Sequence, residues 1–110
     1  MSHDKSYITT PIYYVNSTPH IGNSLTTIAC DVLARFRRMQ GMRSYFLTGT
    51  DENALKVSRV ADERGIDRQL FVDQLSAEFR KTWNEMHVSY QDFIRTTEPR
   101  HKRAVQEVFN

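Results

Sequence analysis

Residues able to do chemistry gather in one stretch of this chain, Thr9-Thr10-Pro11-Ile12-Tyr13-Tyr14-Val15-Asn16-Ser17-Thr18-Pro19-His20-Ile21-Gly22-Asn23. An aromatic and β-branched run gives way there to a long amphipathic pattern, the passage from a buried strand through a tight loop into a helix. The loop sets His20 and Gly22 at the helix entrance. The first backbone N–H groups of a helix have no internal partner, and the helix dipole makes that end electropositive. Such an entrance binds phosphate, and a glycine lets a phosphate approach the backbone closely. An imidazole beside it can donate to a phosphate oxygen. In isolation His20 reads more simply as a loop histidine bonded to its neighbours, and Asn23 as a helix cap. As an amide, Asn23 can still donate to phosphate or ribose, but it carries no charge at any pH. The local chemistry points to a nucleotide.

The elements that must position these residues follow from periodicity. Residues 7–15 read as a strand. Leu25, Ile28, Ala29, Val32, Leu33, Phe36 and Met39 repeat at helical spacing as one apolar stripe, with Arg35, Arg37 and Arg38 largely off it. Gly41 fits the stop of that helix, and residues 44–48 read as a second short strand. Strand, helix and strand in this order predict a parallel crossover, the unit of a doubly wound α/β sheet, whose ligands sit beyond the carboxyl ends of the strands. Those ends carry Tyr13, Tyr14, His20, Gly49, Thr50 and Asp51. At its strand end Asp51 also reads as a helix cap. A second helix is expected over 52–64, closed by Gly65. Asp67 caps a third, with Phe71, Leu75, Phe79 and Trp83 as a core stripe. A strand within 88–96 centres on Phe93 and Ile94. Thr97, Glu98 and Pro99 then start a last helix with Ala104, Val105, Val108 and Phe109 as its apolar face. That helix reaches Asn110 without a stop signal, so the expectation is a truncated chain.

Composition narrows the setting. The chain has 110 residues, 39% of them hydrophobic and 25% charged, with a net charge of +2. That supports one small domain or part of a larger one, and the charge alone does not argue for nucleic acid. No apolar run approaches the ~20 residues of a membrane span, and the polar start Met1-Ser2-His3-Asp4-Lys5 lacks a secretory stretch. Cys30 is the single cysteine, so a reducing, cytoplasmic location is the simplest expectation. It reads as inert and half-buried, and with His3, His87 and His101 it forms no metal-ligand spacing. Arg100, His101, Lys102 and Arg103 read as a solvated helix face.

The run around His20 resembles the signature of methionyl-tRNA synthetases, class I aminoacyl-tRNA synthetases that activate methionine. Their signature has the form His-Ile/Leu-Gly-His and stands here as His20-Ile21-Gly22-Asn23. The similarity continues through Asp31-Val32-Leu33-Ala34-Arg35-Phe36, Phe46-Leu47-Thr48-Gly49-Thr50-Asp51-Glu52 and Asp92-Phe93-Ile94-Arg95-Thr96-Thr97-Glu98, from Tyr7 to the end. The resemblance implies a Rossmann-like parallel sheet with flanking helices, incomplete here, residues 1–110 being the N-terminal portion of a catalytic domain. It implies an ATP-dependent methionine–tRNA ligase acting on methionine, ATP with Mg2+, and tRNA. By the same resemblance His20 and Asn23 are catalytic; Tyr13, His20, Gly22 and Asn23 contact ATP; Ile12 by its backbone, Tyr14 by its ring and Asp51 by charge pairing hold methionine.

This sequence departs from the family where Asn23 replaces the second histidine and Glu52-Asn53-Ala54 stands for Glu-His-Gly. The paired change has the look of a subfamily variant. The family's lysine-rich loop, its zinc-bearing insertion and its anticodon-binding domain have no counterpart here. The chain alone is therefore expected to be inactive, and its uncovered apolar surface to favour self-association. Two alternatives stand beside this reading. One is a small nucleotidyltransferase with a similar phosphate-binding signature, which would lack the Phe-Leu-Thr-Gly-Thr-Asp-Glu block. The other is a non-catalytic nucleotide-binding or interaction fragment, which an open reading frame of several hundred residues would exclude.

Overall fold

The computed structural model describes residues 4–53 and 55–110; His3 of the histidines above and Ala54 of the Glu52-Asn53-Ala54 run lie outside them. Eight elements follow in order: β1 (Lys5–Thr9), β2 (Tyr13–Tyr14), α1 (Ile21–Met39), β3 (Arg43–Asp51), α2 (Leu55–Glu63), α3 (Arg68–Glu85), β4 (Asp92–Arg95) and α4 (Pro99–Phe109). All pairings are parallel and all involve β3. Leu47 pairs with both Thr9 and Asp92, and Thr50 with both Tyr13 and Arg95. Hence β1 and β2 share one edge of β3, and β4 takes the other. The architecture is α/β, a Rossmann-like parallel sheet with flanking helices.

The strand expected over 7–15 is interrupted. From Thr9 to Tyr13 the first edge advances four residues, while its partners Leu47 and Thr50 are three apart. The extra residue is a bulge at Pro11, which has no N–H for the ladder. Thr10 holds it in place. Its N–H donates to the Leu47 carbonyl at 3.0 Å, and its hydroxyl donates to the Pro11 carbonyl at 2.7 Å and meets the Thr48 hydroxyl at 2.7 Å. A one-residue slip exchanges the faces of a strand. Tyr7 and Thr9 are exposed, whereas Tyr13 and Val15, of the same parity, are buried.

The core lies on one face of the sheet, where Tyr13, Phe46 and Phe93 cluster with Phe71, Val72, Leu75, Phe79 and Trp83 of α3. The predicted third-helix stripe is thus the core stripe. Asp67 caps this helix, accepting from the Leu70 N–H at 3.1 Å. Tyr13 stacks on Phe79 with centroids 6.1 Å apart, and on its other side its hydroxyl reaches Thr27 of α1. Gly49 is required in β3, because a β-carbon there would collide with the Ile94 carbonyl oxygen. The opposite face of the sheet is open and carries the stacked pair Tyr7 and Tyr45.

The apolar stripe of α1 faces solvent. Leu25, Val32 and Phe36 are 73%, 60% and 51% exposed, while the residues of α1 that are buried are Thr27 and Ala34. Small residues let the helix lie close to the sheet, and its large apolar residues form an uncovered surface of the kind that marks an interface. The apolar residues of α4 are likewise unburied. Arg100 departs from the expected solvated face: its guanidinium pairs with Asp92 at 2.6 Å and Glu98 at 2.7 Å. Of the helix expected over 52–64, α2 covers Leu55–Glu63, and Glu52 lies outside it and is buried.

Three helices end alike. Gly41, Gly65 and His87 have positive φ, and the residue after each donates to the carbonyl five positions back, the Schellman closure. The third closure aims the His87 carbonyl at Arg35, whose Nη2 donates to it. Asp31 completes a latch between α1 and this loop, accepting from the Ser89 N–H at 2.7 Å and from Arg35 Nε at 2.9 Å. Burial works against the ionised Asp31, but the Ser89 and Arg35 donors outweigh it and hold its carboxyl below the usual range. A depressed pKa stabilises the fold above the unfolded value of about 3.9, and that stability is lost as pH falls through the folded value. Asp31→Asn should therefore lower the melting temperature at pH 7, and the gap from wild type should narrow as the pH drops below about 4. A gap of constant size in thermal melts across that range would contradict the latch.

Candidate functional site

His20 is the cap of α1, in extended backbone (φ −120°, ψ 171°). Its Nδ1 accepts from the Gly22 N–H at 3.1 Å. With Nδ1 accepting, the ring proton sits on Nε2, the nitrogen left free to donate outward. Asn23 closes the reciprocal half of the capping box: its Oδ1 accepts from the His20 N–H at 3.1 Å, the arrangement expected of Ser/Thr with Glu/Gln. The two N–H groups of its amide are thereby turned away from that bond. Gly22 fits because a β-carbon would press on the His20 ring, 3.0 Å from Cε1. This helix start thus sets the orientation of both candidate side chains, and no acidic residue in its first turn opposes an anion.

The base of this entrance is braced from the core. Thr27 donates to the Asn23 carbonyl at 2.9 Å and meets the Tyr13 hydroxyl at 2.9 Å. Tyr13 is therefore a wall of the site whose ring points into the core. The bulge at Pro11 makes this possible, because it turns Tyr13 inward and leaves Ile12 and Tyr14 exposed, 39% and 57%.

A cleft of about 300 Å³ opens at the carboxyl ends of the strands, lined by Ile12, Tyr13, Tyr14, Asn16, Ser17, His20 and Asn23. Asp51, the last residue of β3, lies at the same end of the sheet, paired in register with Tyr14. Its Oδ1 accepts from the Asn53 N–H at 3.3 Å. The structure thus brings Ile12, Tyr13, Tyr14, His20 and Asn23 around one cleft, with Gly22 bonded to His20. Asp51 lies next to Tyr14 in the sheet without lining the cleft. Asn16 and Ser17 were not singled out by sequence reasoning. Their signal was a pair of short polar residues in a strand-to-helix loop, where binding groups concentrate.

Comparison with known proteins agrees with this geometry. A family model described as tRNA synthetases class I (M) matches residues 6–110. A methionine–tRNA ligase of Rickettsia bellii is 58% identical over 99 residues, which are 90% of this chain and 19% of that protein. That of Thermotoga maritima is 50% identical over 103 residues, 94% of this chain and 16% of that protein. The chain thus spans less than a fifth of the length of these curated relatives. Among solved structures, Mycobacterium tuberculosis methionyl-tRNA synthetase in complex with methionyl-adenylate superposes with a TM-score of 0.94 at 37% identity, covering 96% of this chain and 21% of that one. With a parallel crossover, a histidine-capped helix entrance at its carboxyl end and these relatives, the chain belongs to the class I tRNA synthetases, in the branch that holds the methionyl enzymes.

Proposed function

We propose that residues 1–110 are the N-terminal portion of the catalytic domain of a methionine–tRNA ligase, which activates methionine with ATP and transfers it to tRNA. The observation that carries this reading is the helix entrance at His20, Gly22 and Asn23, opening on the cleft beside Ile12 and Tyr14. In the first step an oxygen of the methionine carboxylate attacks the α-phosphorus of ATP. The bond to the bridging oxygen breaks, and pyrophosphate leaves. In the second, a ribose hydroxyl of the terminal adenosine of tRNA attacks the methionyl carbonyl and AMP leaves.

His20 Nε2–H and the Asn23 amide are the donors for phosphate oxygens, where charge develops in the first step. Gly22 lets the phosphates approach the backbone, and Tyr13 holds this edge in place. Ile12 offers backbone groups and Tyr14 its ring to methionine, and the Asp51 carboxylate pairs with the ammonium. ATP enters as its Mg2+ complex. No group of three or more His, Cys, Asp or Glu among the described residues could hold a metal.

The ligase works in the cytoplasm, in keeping with the single cysteine, and the chain by itself self-associates through the exposed stripe of α1. Methionine-dependent exchange between ATP and pyrophosphate by the full-length gene product, followed by charging of methionine tRNA, is the expected result. Exchange driven by another amino acid, or none, would overturn the reading.

A further inference from the structure

Directly behind Asp51 lies a charged side chain where a charge is expensive. Glu52 is 1% exposed. An isolated carboxylate in such a place costs several kcal/mol unless donors surround it. Here four do. Oε2 accepts from Thr50 Oγ1 at 2.8 Å and from Arg95 Nε at 2.8 Å. Oε1 accepts from Arg95 Nη2 at 2.7 Å and from Thr97 Oγ1 at 3.1 Å. The backbone is held as well: the Glu52 N–H donates to Thr96 Oγ1 at 2.8 Å, and Asn53 Nδ2 donates to the Thr96 carbonyl at 3.3 Å. Arg95 is fixed in turn by Asp73 of α3, at 2.5 Å from Nη2.

These bonds converge on one short segment. Thr50 and Glu52 flank Asp51 and are both tied to the buried carboxylate, and Asn53 is tied to the end of β4. The end of β3, where Asp51 is the last residue, is therefore tied on both sides of Asp51. A buried ion pair is a poor stability device, since apolar replacements of equal volume are often as stable or more so. What a forked guanidinium on a carboxylate adds is a fixed direction in space.

We propose that Glu52, clamped by Arg95, is a positioning residue that holds the Asp51 carboxylate in line for the substrate ammonium. This inference rests on the role given to Asp51 above. It adds a function to the block from Asp92 to Glu98, none of whose residues stood among the candidates: Arg95, Thr96 and Thr97 of β4 and its exit serve the methionine side of the cleft from behind.

The test uses the full-length ligase and two ligands, methionine and 4-(methylthio)butanoate, which keeps the side chain and carboxylate but lacks the amino group. Glu52→Gln removes the charge and turns an N–H toward the guanidinium. It should weaken methionine binding about tenfold to a hundredfold, the cost of a misplaced contact group. Binding of the deamino analogue and the KM for ATP should stay within about twofold, because neither depends on the ammonium contact. A merely structural role would weaken both ligands together, or lower only the active fraction, and would overturn the proposal. Asp51→Asn separates the two readings. If it spares methionine binding, the role of Asp51 falls and the positioning role with it. If it weakens methionine selectively while Glu52→Gln weakens neither ligand, the role of Asp51 stands and the positioning role is wrong. Should Glu52→Gln not fold, Thr97→Val removes one donor and leaves the ion pair; it should show the same selectivity at about two- to tenfold, and equal effects on both ligands would refute the clamp.

Discussion

His20→Ala in the full-length ligase should slow methionyl-adenylate formation by about 10²–10³, the usual effect of removing one oxyanion donor. Methionine binding should change little, because the residues proposed for it, Ile12, Tyr14 and Asp51, take no hydrogen bond from the imidazole, which is bonded to Gly22. The direction of the effect comes from the cap geometry. Nδ1 is committed to the Gly22 N–H at 3.1 Å, so Nε2–H is the donor, held ready by the helix start. Charge grows on the α-phosphate oxygens as the carboxylate attacks, so a donor aimed there favours the transition state over the bound substrates. Alanine removes two things at once, this donor and the cap acceptor, and loss of a cap costs about 1 kcal/mol of stability. His20→Asn separates them, since an Asn oxygen can still accept from the first-turn N–H groups while its amide reaches less far. Both variants should lose turnover, but only alanine should lose melting temperature. Unchanged pyrophosphate-exchange turnover in either would remove His20 from the chemistry.

What was legible in the sequence was local. The start of α1 could be read from the onset of helical periodicity, although its cap is His20 rather than Asn23, which stands at the third helical position, and the stripe Phe71, Leu75, Phe79 and Trp83 because a helix buried along one face shows its period. What was illegible depended on partners distant in sequence. The apolar period of α1 fixed a helix but not which face meets the sheet: Thr27 and Ala34 are buried, and the larger apolar residues Leu25, Val32 and Phe36 are exposed. The bulge at Pro11 is a matter of register against β3, and register belongs to two strands at once. Glu52 read as the first turn of α2. Its ion pair with Arg95, 43 residues away, holds it at the end of β3 and outside α2. At the site itself, the residue types that chemistry needs were visible in the motif. The brace behind them, from Tyr13 to Thr27 and from Glu52 to Arg95, was not, because bracing residues look locally like ordinary strand and helix residues.

The chain by itself should show no methionine-dependent exchange between ATP and pyrophosphate, and at most weak binding of ATP. Its helix entrance at His20 is intact, so part of the affinity for phosphate survives. The described residues line a cleft of about 300 Å³ that Asp51 does not enter into, and the chain spans 19% and 16% of the length of two methionine–tRNA ligases it resembles. The lysine-rich loop that the family resemblance implies has no counterpart in these residues. Orientation alone can account for about 7–11 kcal/mol of barrier lowering, and a cleft that Asp51 does not line cannot hold both substrates in line. Such a cleft also stays wet, and at the dielectric constant of water, about 80, a charge pair at contact is worth only about 1 kcal/mol. Asp51 and His20 would then hold their ligands too loosely for in-line attack. The comparison is pyrophosphate exchange by the purified 110-residue chain beside the full-length protein at equal concentration, with ATP binding followed by calorimetry. Exchange by the short chain that depends on methionine and disappears in His20→Ala would mean that the residues of this chain suffice for the chemistry.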